Sequence, residues 1–205
     1  MTYDLVLATR NKKKLVEIRE LLAKLDFNIL SINDFEGIPE VQEDADTFEG
    51  NAKKKAVQIA KATGRLTLAD DSGLEIDYLN GKPGIHSARF AGDKATDEDR
   101  NRKVISLLNG VFQRERKARF KCVIAIADGE FVKTATGICE GEIATESRGD
   151  QGFGYDPIFI VPSYNKTFAE LGIEIKNQIS HRAIALRKAR EILVNYLQTN
   201  VISER

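Results

Sequence analysis

The chain has 205 residues, of which 42% are hydrophobic and 30% are charged, a composition that predicts one large globular domain or one domain with two lobes. Its 31 basic and 31 acidic side chains give a formal net charge of zero, which argues against a dedicated nucleic-acid binder, because such a protein has a basic surface. The two cysteines, Cys122 and Cys139, lie in apolar segments without a C-x-x-C partner. We therefore expect reduced core thiols rather than a disulfide or a zinc site.

The start of the chain and its apolar segments bear on where the protein works. Residues 1–4 contain no basic segment, and no apolar run approaches the length of a membrane span. We therefore expect a soluble, cytoplasmic protein with no membrane partner and no nucleic-acid partner.

Apolar periodicity and turn residues divide the chain into alternating strands and helices. The predicted elements, in chain order, are a strand at 5–8, a helix at 12–25, a strand at 28–32, an acidic loop at 36–46, a helix at 48–63, strands at 66–69 and 74–79, a loop at 80–93, a helix at 96–108, strands at 120–126 and 131–135, a glycine-rich loop at 149–157, a strand at 158–161 and a helix at 180–198. An Asp-Gly pair at 128–129 predicts a tight hairpin, whose second strand is open to extension through 143. Strands interleaved with helices, together with this hairpin, predict one α/β domain over residues 1–205 with a mixed sheet.

The most informative motif is Asp-Asp-Ser-Gly at 70–73, which follows an apolar strand and predicts the turn that ends it. The adjacent carboxylates Asp70 and Asp71 repel one another. A hard cation such as Mg²⁺ removes that repulsion, and it usually brings a phosphate substrate with it. An acidic turn without a metal explains the motif equally well, so the rest of the chain must decide.

A basic cluster lies at the predicted turn between the first strand and the first helix. Its members are Thr9, Arg10, Asn11, Lys12, Lys13 and Lys14. Backbone N–H groups and the positive end of the helix dipole favour a phosphate there, whereas lysines at a helix N-terminus are unfavourable without an anion. We therefore expect phosphate binding rather than a solvated turn. Asn51 and Lys55 share a face of the next helix, although the lysine run at 53–55, taken alone, favours a solvated surface.

Two further segments contain residue types that suit a nucleotide base. In the loop Gly-Phe-Gly-Tyr-Asp-Pro at 152–157, the glycines leave room for a base to stack on Phe153, an interaction worth about 1–3 kcal/mol in single-stranded nucleic-acid systems. A structural turn ended by Asp-Pro is the equal alternative. Ser180 would cap the last helix and set His181 and Arg182 at an end that attracts anions, but simple capping is favoured when this segment is taken alone.

In this order and spacing, the clusters resemble the Ham1/inosine triphosphate pyrophosphatase family over nearly the whole chain. The motifs that carry the resemblance are Thr9-Arg10-Asn11-x-x-Lys14, Thr47-Phe48-x-x-Asn51-Ala52, Ala69-Asp70-Asp71-Ser72-Gly73-Leu74, Pro83-Gly84-Ile85-x-Ser87-Ala88-Arg89-Phe90-Ala91-Gly92, Gly152-Phe153-Gly154-Tyr155-Asp156-Pro157 and Ser180-His181-Arg182. The resemblance implies a single two-lobed α/β domain with a central mixed, twisted sheet flanked by helices. It also implies a homodimer that uses Mg²⁺ to hydrolyse ITP, dITP and XTP to the monophosphate and pyrophosphate.

The family's functional positions carry over to matching residues of this chain. The implied substrate-binding residues are Thr9, Arg10, Asn11, Lys12, Lys13, Lys14, Asn51, Lys55, Ser72, Phe153, Gly154, Tyr155, Asp156, Lys176, His181 and Arg182. Residues 9–14 would hold the triphosphate, and residues 153–156 would form the base and sugar pocket. Asp71 would be the catalytic base and a Mg²⁺ ligand. Glu40 would be a second metal carboxylate, with Glu43, Asp44 and Asp46 of the same loop as alternatives.

The sequence departs from the family pattern at two positions, and it leaves two other functions open. Arg10 stands where many members have glycine, and Gly50 stands where glutamate is frequent. A Maf-type nucleotide pyrophosphatase would have a similar fold, but the Thr-x-Asn-x-x-Lys pattern fits the Ham1 family better. A non-catalytic nucleotide-binding or RNA-binding module is disfavoured by Asp70 and Asp71, because carboxylates without a metal repel phosphates.

Overall fold

The protein is described by a computed structural model that covers residues 3–23 and 25–203, with side chains through residue 199. Residue 24, which belongs to the predicted helix at 12–25, lies outside the described residues. None of the helices in the described ranges has both the length and the apolar character that crossing a bilayer requires.

The described residues form a seven-stranded mixed sheet and five α-helices. In chain order the elements are β1 (Tyr3–Leu7), α1 (Lys12–Leu22), β2 (Phe27–Ser31), α2 (Phe48–Thr63), β3 (Thr67–Ile76), α3 (Asp97–Leu107), β4 (Lys117–Asp128), β5 (Phe131–Ile143), β6 (Phe159–Val161), β7 (Lys166–Thr167), α4 (Phe168–Ile179) and α5 (His181–Ser203). The strand order is β2-β1-β3-β4-β5-β6-β7. Strand β1 pairs in parallel with β2 and β3, whereas β6 pairs antiparallel with β5 and β7. The predicted α/β class with a mixed sheet is therefore confirmed.

The chain divides into two compact units, and each has its own apolar core. The first unit comprises Met1–Asp71, Cys122–Gly137 and Ala183–Arg205, and the second comprises Ser72–Lys121 and Ile138–Arg182. Strands β3, β4 and β5 each contribute residues to both units. The core residues of the first unit come mainly from β1, β4, α1 and α5, and those of the second come from β3 to β6 with α3 and α4. The free thiols of the two cysteines are buried, one in each core, as the sequence predicts.

Local capping explains where the two helices that carry basic residues begin. The side chain of Asn11 caps α1, and the Thr47 hydroxyl accepts a hydrogen bond from Gly50 N at 3.0 Å to cap α2. Helix α2 ends at Thr63, and the residue that follows it, Gly64, has a left-handed φ of 64° that suits glycine. These caps place Lys14 in the first turn of α1 and Lys55 in the second turn of α2.

The Asp-Asp-Ser-Gly motif lies inside β3, so the predicted turn at 70–73 is wrong. Strand β3 runs without interruption from Thr67 to Ile76 and replaces the two predicted strands at 66–69 and 74–79. It lies between β1 and β4 in the sheet, and pairing with those neighbours outweighs the turn preference of Ser-Gly. Since successive strand residues point to opposite faces, Asp70 and Asp71 have separate environments.

Other predicted boundaries differ by a few residues, and one helix was not predicted at all. Helix α1 ends at Leu22 rather than at residue 25. The hairpin at 128–129 is confirmed, with Gly129 at a φ of 55°, and β5 does extend to Ile143. Within the predicted loop at 80–93 lies a short 3₁₀ helix, Gly84–Arg89. Helix α4 fills a stretch for which the sequence predicted no element.

Candidate active site

Each carboxylate of the Asp70-Asp71 pair has its own partner from a different helix of the first unit. Lys14 Nζ of α1 lies 2.9 Å from Asp70 Oδ2, whose side chain has no exposed surface. Asn51 of α2 donates from Nδ2 to Asp71 Oδ2 at 3.0 Å. Both carboxylates are buried. The strand therefore separates an ion-paired aspartate from an aspartate that is held by a neutral amide.

The acidic loop adds a third carboxylate to this group. Glu43 accepts a short hydrogen bond from Lys55 Nζ, and the Lys55 side chain is only 14% exposed. Burial opposes the charge on Lys55, but Asp70 and Glu43 outweigh it and raise the pKa of that ammonium. Lys55 is therefore protonated and faces carboxylates, so the solvated alternative does not hold for it.

The surroundings of Asp71 make it a weaker acid than an ordinary aspartate. Burial, followed by repulsion from Glu43, raises the pKa of Asp71 to about 6, while Asn51, Lys55 and Lys14 act in the opposite direction. A carboxylate with a pKa near neutrality accepts a proton from water more readily than one with a pKa near 4. Asp71 is thus suited to act as a general base.

The first turn of α1 is less open to anions than its sequence suggests. Asn11 Oδ1 accepts from the backbone N–H groups of Lys13 and Lys14, at 3.0 and 3.2 Å, so two of the N–H groups predicted for phosphate already have an acceptor. Thr9 Oγ1 accepts from Asn11 N at 3.2 Å. The Arg10 guanidinium donates to the carbonyl of Ile38 at 3.4 Å. The Lys12 and Lys13 side chains are exposed.

Within the described residues, no group of three or more His, Cys, Asp or Glu side chains is arranged to hold a metal ion. Of the acidic-loop candidates, Glu43 acts electrostatically on Asp71, whereas Glu40 is exposed. Asp44 pairs with Lys54 at 2.5 Å on the surface. Glu43 is thus the loop carboxylate whose interaction with Asp71 the structure establishes.

The loop at 152–157 lies in the second unit, where buried Asp156 organises it. Asp156 Oδ2 accepts from Phe153 N at 2.8 Å and from Lys176 Nζ at 2.6 Å. A Cβ on Gly152 would lie 2.1 Å from the same oxygen, and Gly152 has a φ of 80°. The loop therefore requires glycine at this position, and Asp156 and Lys176 stabilise the loop from within.

Two cations lie over the ring of Phe153. Lys176 Nζ is 4.4 Å from the ring centroid, and the guanidinium carbon of Arg182 is 5.7 Å away. Arg182 Nη2 also donates to Ser72 Oγ at 3.1 Å. The His181 ring stacks on Phe120, with centroids 4.7 Å apart. These contacts bring Ser72, Phe153, Lys176 and Arg182 together within the second unit.

Tyr155, a further residue of this loop, faces the interior. Its hydroxyl donates to the carbonyl of Ser87 at 2.8 Å, and burial raises its pKa, so it stays a hydrogen-bond donor. Ser87 in turn accepts from Leu74 N at 2.9 Å. Tyr155 thus anchors the loop to β3 through Ser87, and its contact with the substrate stays a prediction from the resemblance.

Comparison with known proteins finds relatives over almost the whole chain. A model of the Ham1 family matches residues 5–192. A dITP/XTP pyrophosphatase of Desulforamulus reducens is 56% identical over 190 residues, which is 92% of this chain and 94% of that protein. A dITP/XTP pyrophosphatase of Bacillus subtilis is 46% identical over 191 residues, 93% of this chain and 96% of that one. The solved structure of a HAM1 protein from Coxiella burnetii has a TM-score of 0.88 at 44% identity, and it covers 94% of this chain and 99% of that chain.

Proposed function

The chain belongs to the Ham1 family, and from that premise we propose that it hydrolyses ITP, dITP and XTP to the monophosphate and pyrophosphate. The observation that carries the proposal is the buried Asp71, whose pKa is about 6 and which lies among Asn51, Lys55 and Glu43. A buried carboxylate that is poised near neutrality and lies near two lysine ammonium groups, those of Lys55 and Lys14, suits proton abstraction beside a phosphate. Relatives named dITP/XTP pyrophosphatases support the choice of substrates.

Lys14 and Lys55 hold the triphosphate in this proposal. Each ammonium has three N–H donors, so it can keep its carboxylate partner and still donate to a phosphate oxygen. Both side chains are less than one-fifth exposed, and charge–charge attraction is stronger there than at the surface. The first turn of α1, with Thr9, Asn11 and the exposed lysines beside them, extends the same basic region.

The donor set in the first unit fits Mg²⁺ when the substrate completes the coordination. Mg²⁺ usually takes one or two protein carboxylates together with phosphate oxygens and water, so the absence of a three-carboxylate cluster among the described residues is compatible with it. Asp71 and Glu43 repel one another, and a divalent cation would relieve that repulsion. We propose Asp71 as one ligand, and we favour Glu43 over Glu40 as the second. When bound, the ion supplies charge neutralisation at the phosphates.

Asp71 positions a water molecule for attack on the α-phosphorus and accepts its proton. The bond from the water oxygen to phosphorus forms, and the bond from the α-phosphorus to the bridging oxygen breaks. Pyrophosphate leaves, and Lys14 and Lys55 stabilise its negative charge. Asn51 keeps the Asp71 carboxylate in place through the 3.0 Å hydrogen bond.

The second unit recognises the base in this proposal. Phe153 offers a flat ring, and stacking on it tolerates every base. Selectivity comes from donors such as Arg182 and His181, because a 6-oxo purine accepts a hydrogen bond at a position where a 6-amino purine leaves the donor unpaired. The cytoplasmic location remains a prediction from the sequence, and the homodimer remains a prediction from the resemblance. Light scattering in solution would determine the oligomeric state.

Product identification tests the proposed reaction. The protein is incubated with dITP and Mg²⁺, and nucleotides and phosphates are separated by ion exchange. We expect dIMP and pyrophosphate in equal amounts, whereas dIDP and phosphate would contradict the proposal. Asp71→Asn should lose at least about 100-fold in kcat, and the matched surface variant Asp44→Asn should retain normal activity.

A further inference from the structure

Helix α3 holds both peptide groups that flank Gly154 in the base loop. Asp97 Oδ2 accepts from Gly154 N at 2.8 Å, and Asn101 Nδ2 donates to Gly154 O at 3.1 Å. Asp97 and Asn101 are four residues apart, so they lie on one face of the helix. One helix face therefore fixes the peptide plane before Gly154 and the plane after it.

Fixing these two planes sets the course of the loop on either side of Gly154. Gly154 has a φ of 64°, a left-handed conformation that side chains disfavour. The direction in which Phe153 leaves the backbone depends on this conformation. Asn101 is only 3% exposed, and a hydrogen bond in such an environment is electrostatically stronger than one in water.

The end of α3 that carries Asp97 is itself held in place. Thr96 and Asp99 form a capping box at its start. Arg100 pairs with Asp97 and donates to the carbonyls of Ala88 and Ala95, at 3.0 and 2.6 Å. Asp97 is therefore oriented within the protein alone, before any ligand binds.

We propose that Asp97 and Asn101 are positioning residues that set base selectivity by fixing Gly154, and hence the ring of Phe153 over which the selective donor Arg182 lies. They act through the loop, where both contact Gly154, and Asp97 also pairs with Arg100. The inference rests on the proposed function, because base selectivity has meaning only for a nucleotide substrate. It assigns a role to α3, which neither the sequence motifs nor the proposed chemistry uses.

Hydrogen exchange and kinetics on the same variants test this inference. In Asp97→Ala and Asn101→Asp, we expect the Gly154 amide to exchange about tenfold faster. We also expect the ratio of kcat/KM for dITP over dATP to fall by about tenfold, mainly through KM for dITP. Asp97→Asn keeps a side-chain oxygen acceptor and should restore most of both properties. Arg102→Ala, an exposed position on the same helix, should change neither.

The outcomes separate this inference from the proposed function. If wild-type protein releases no pyrophosphate from dITP, the proposed function and the selectivity role that rests on it are both overturned. If the wild type is selective but Asp97→Ala keeps its selectivity ratio or its slow Gly154 exchange, only this inference is overturned. Asp97→Asn serves as the second variant if Asp97→Ala fails to fold. The inference is then supported if Asp97→Asn and Arg102→Ala both have the selectivity of the wild type while Asn101→Asp loses it.

Discussion

Replacing Asp71 with asparagine should stabilise the fold at neutral pH although it abolishes catalysis. The side chain is 7% exposed, and burial and Glu43 raise its pKa to about 6 from the ordinary 3.8. Asparagine has nearly the same shape, and it can still accept the hydrogen bond from Asn51. Asp71→Asn therefore removes an unfavourable buried charge without opening a cavity.

The magnitude and its pH dependence follow from the two pKa values of Asp71. As pH rises from about 4 to 6, the unfolded chain loses this proton first, so the folded state binds more protons and its free energy of unfolding falls. The gap between 3.8 and about 6 corresponds to up to about 3 kcal/mol, at 1.36 kcal/mol for each tenfold change. The wild type should carry this penalty above pH 6 and lose it below pH 4.

Urea unfolding with EDTA, at pH 4 and pH 7, measures this difference. We expect Asp71→Asn to exceed the wild type by about 1–3 kcal/mol at pH 7 and to match it at pH 4. Asp70→Asn is the control with the opposite sign, because it leaves Lys14 without its ion-pair partner and should destabilise by about 2 kcal/mol or more. An Asp71→Asn protein less stable than the wild type at pH 7, or a difference independent of pH, would refute the reasoning.

Three further variants test the phosphate and base regions. Lys55→Ala should raise KM for ITP at least about tenfold through loss of a buried charge, while the surface variant Lys54→Ala should not. Equal effects of the two variants in steady-state assays would count against phosphate binding by Lys55. Gly152→Ala would bring a Cβ to 2.1 Å from Asp156 Oδ2, so we expect about a 100-fold loss in kcat/KM for ITP. A kcat/KM within twofold of the wild type would contradict this, because it would show that the loop relaxes freely. Arg182→Ala should reduce the ratio of ITP to ATP efficiency by about tenfold; a parallel loss on both substrates would assign Arg182 to the phosphates or the fold.

The sequence predicts the class of the fold better than the path of individual segments. Apolar periodicity identified α1, α2 and α5, because each has apolar residues at a helical spacing that are buried in the structure. It gave no signal for α4, where Gly172 has a φ of 79° within the helix and interrupts the period. The capping box of Thr167 and Glu170 was a usable signal for the start of that helix.

The candidate site was predictable in residue type but less so in residue role. The family resemblance identified Asp71, Lys14 and Lys55, and the structure brings these three into one electrostatic group. Spacing could not show that Lys176 would be buried against Asp156, since that pair joins a loop to a helix 20 residues later. Glu43 lies outside the sequence motifs, and so do the two α3 residues that hold Gly154. Their roles therefore emerge only from three-dimensional contacts.

The parallel measurement of kcat/KM for dITP and dATP, with Mg²⁺ present and pyrophosphate release as the readout, tests the central claim most directly. A site that directs a donor at the 6-oxo group should favour dITP by about 10⁴, and it should yield dIMP as the nucleotide product. Efficiencies on dITP and dATP within about tenfold of each other, the range that one weak hydrogen bond explains, would contradict the account, as would a diphosphate product.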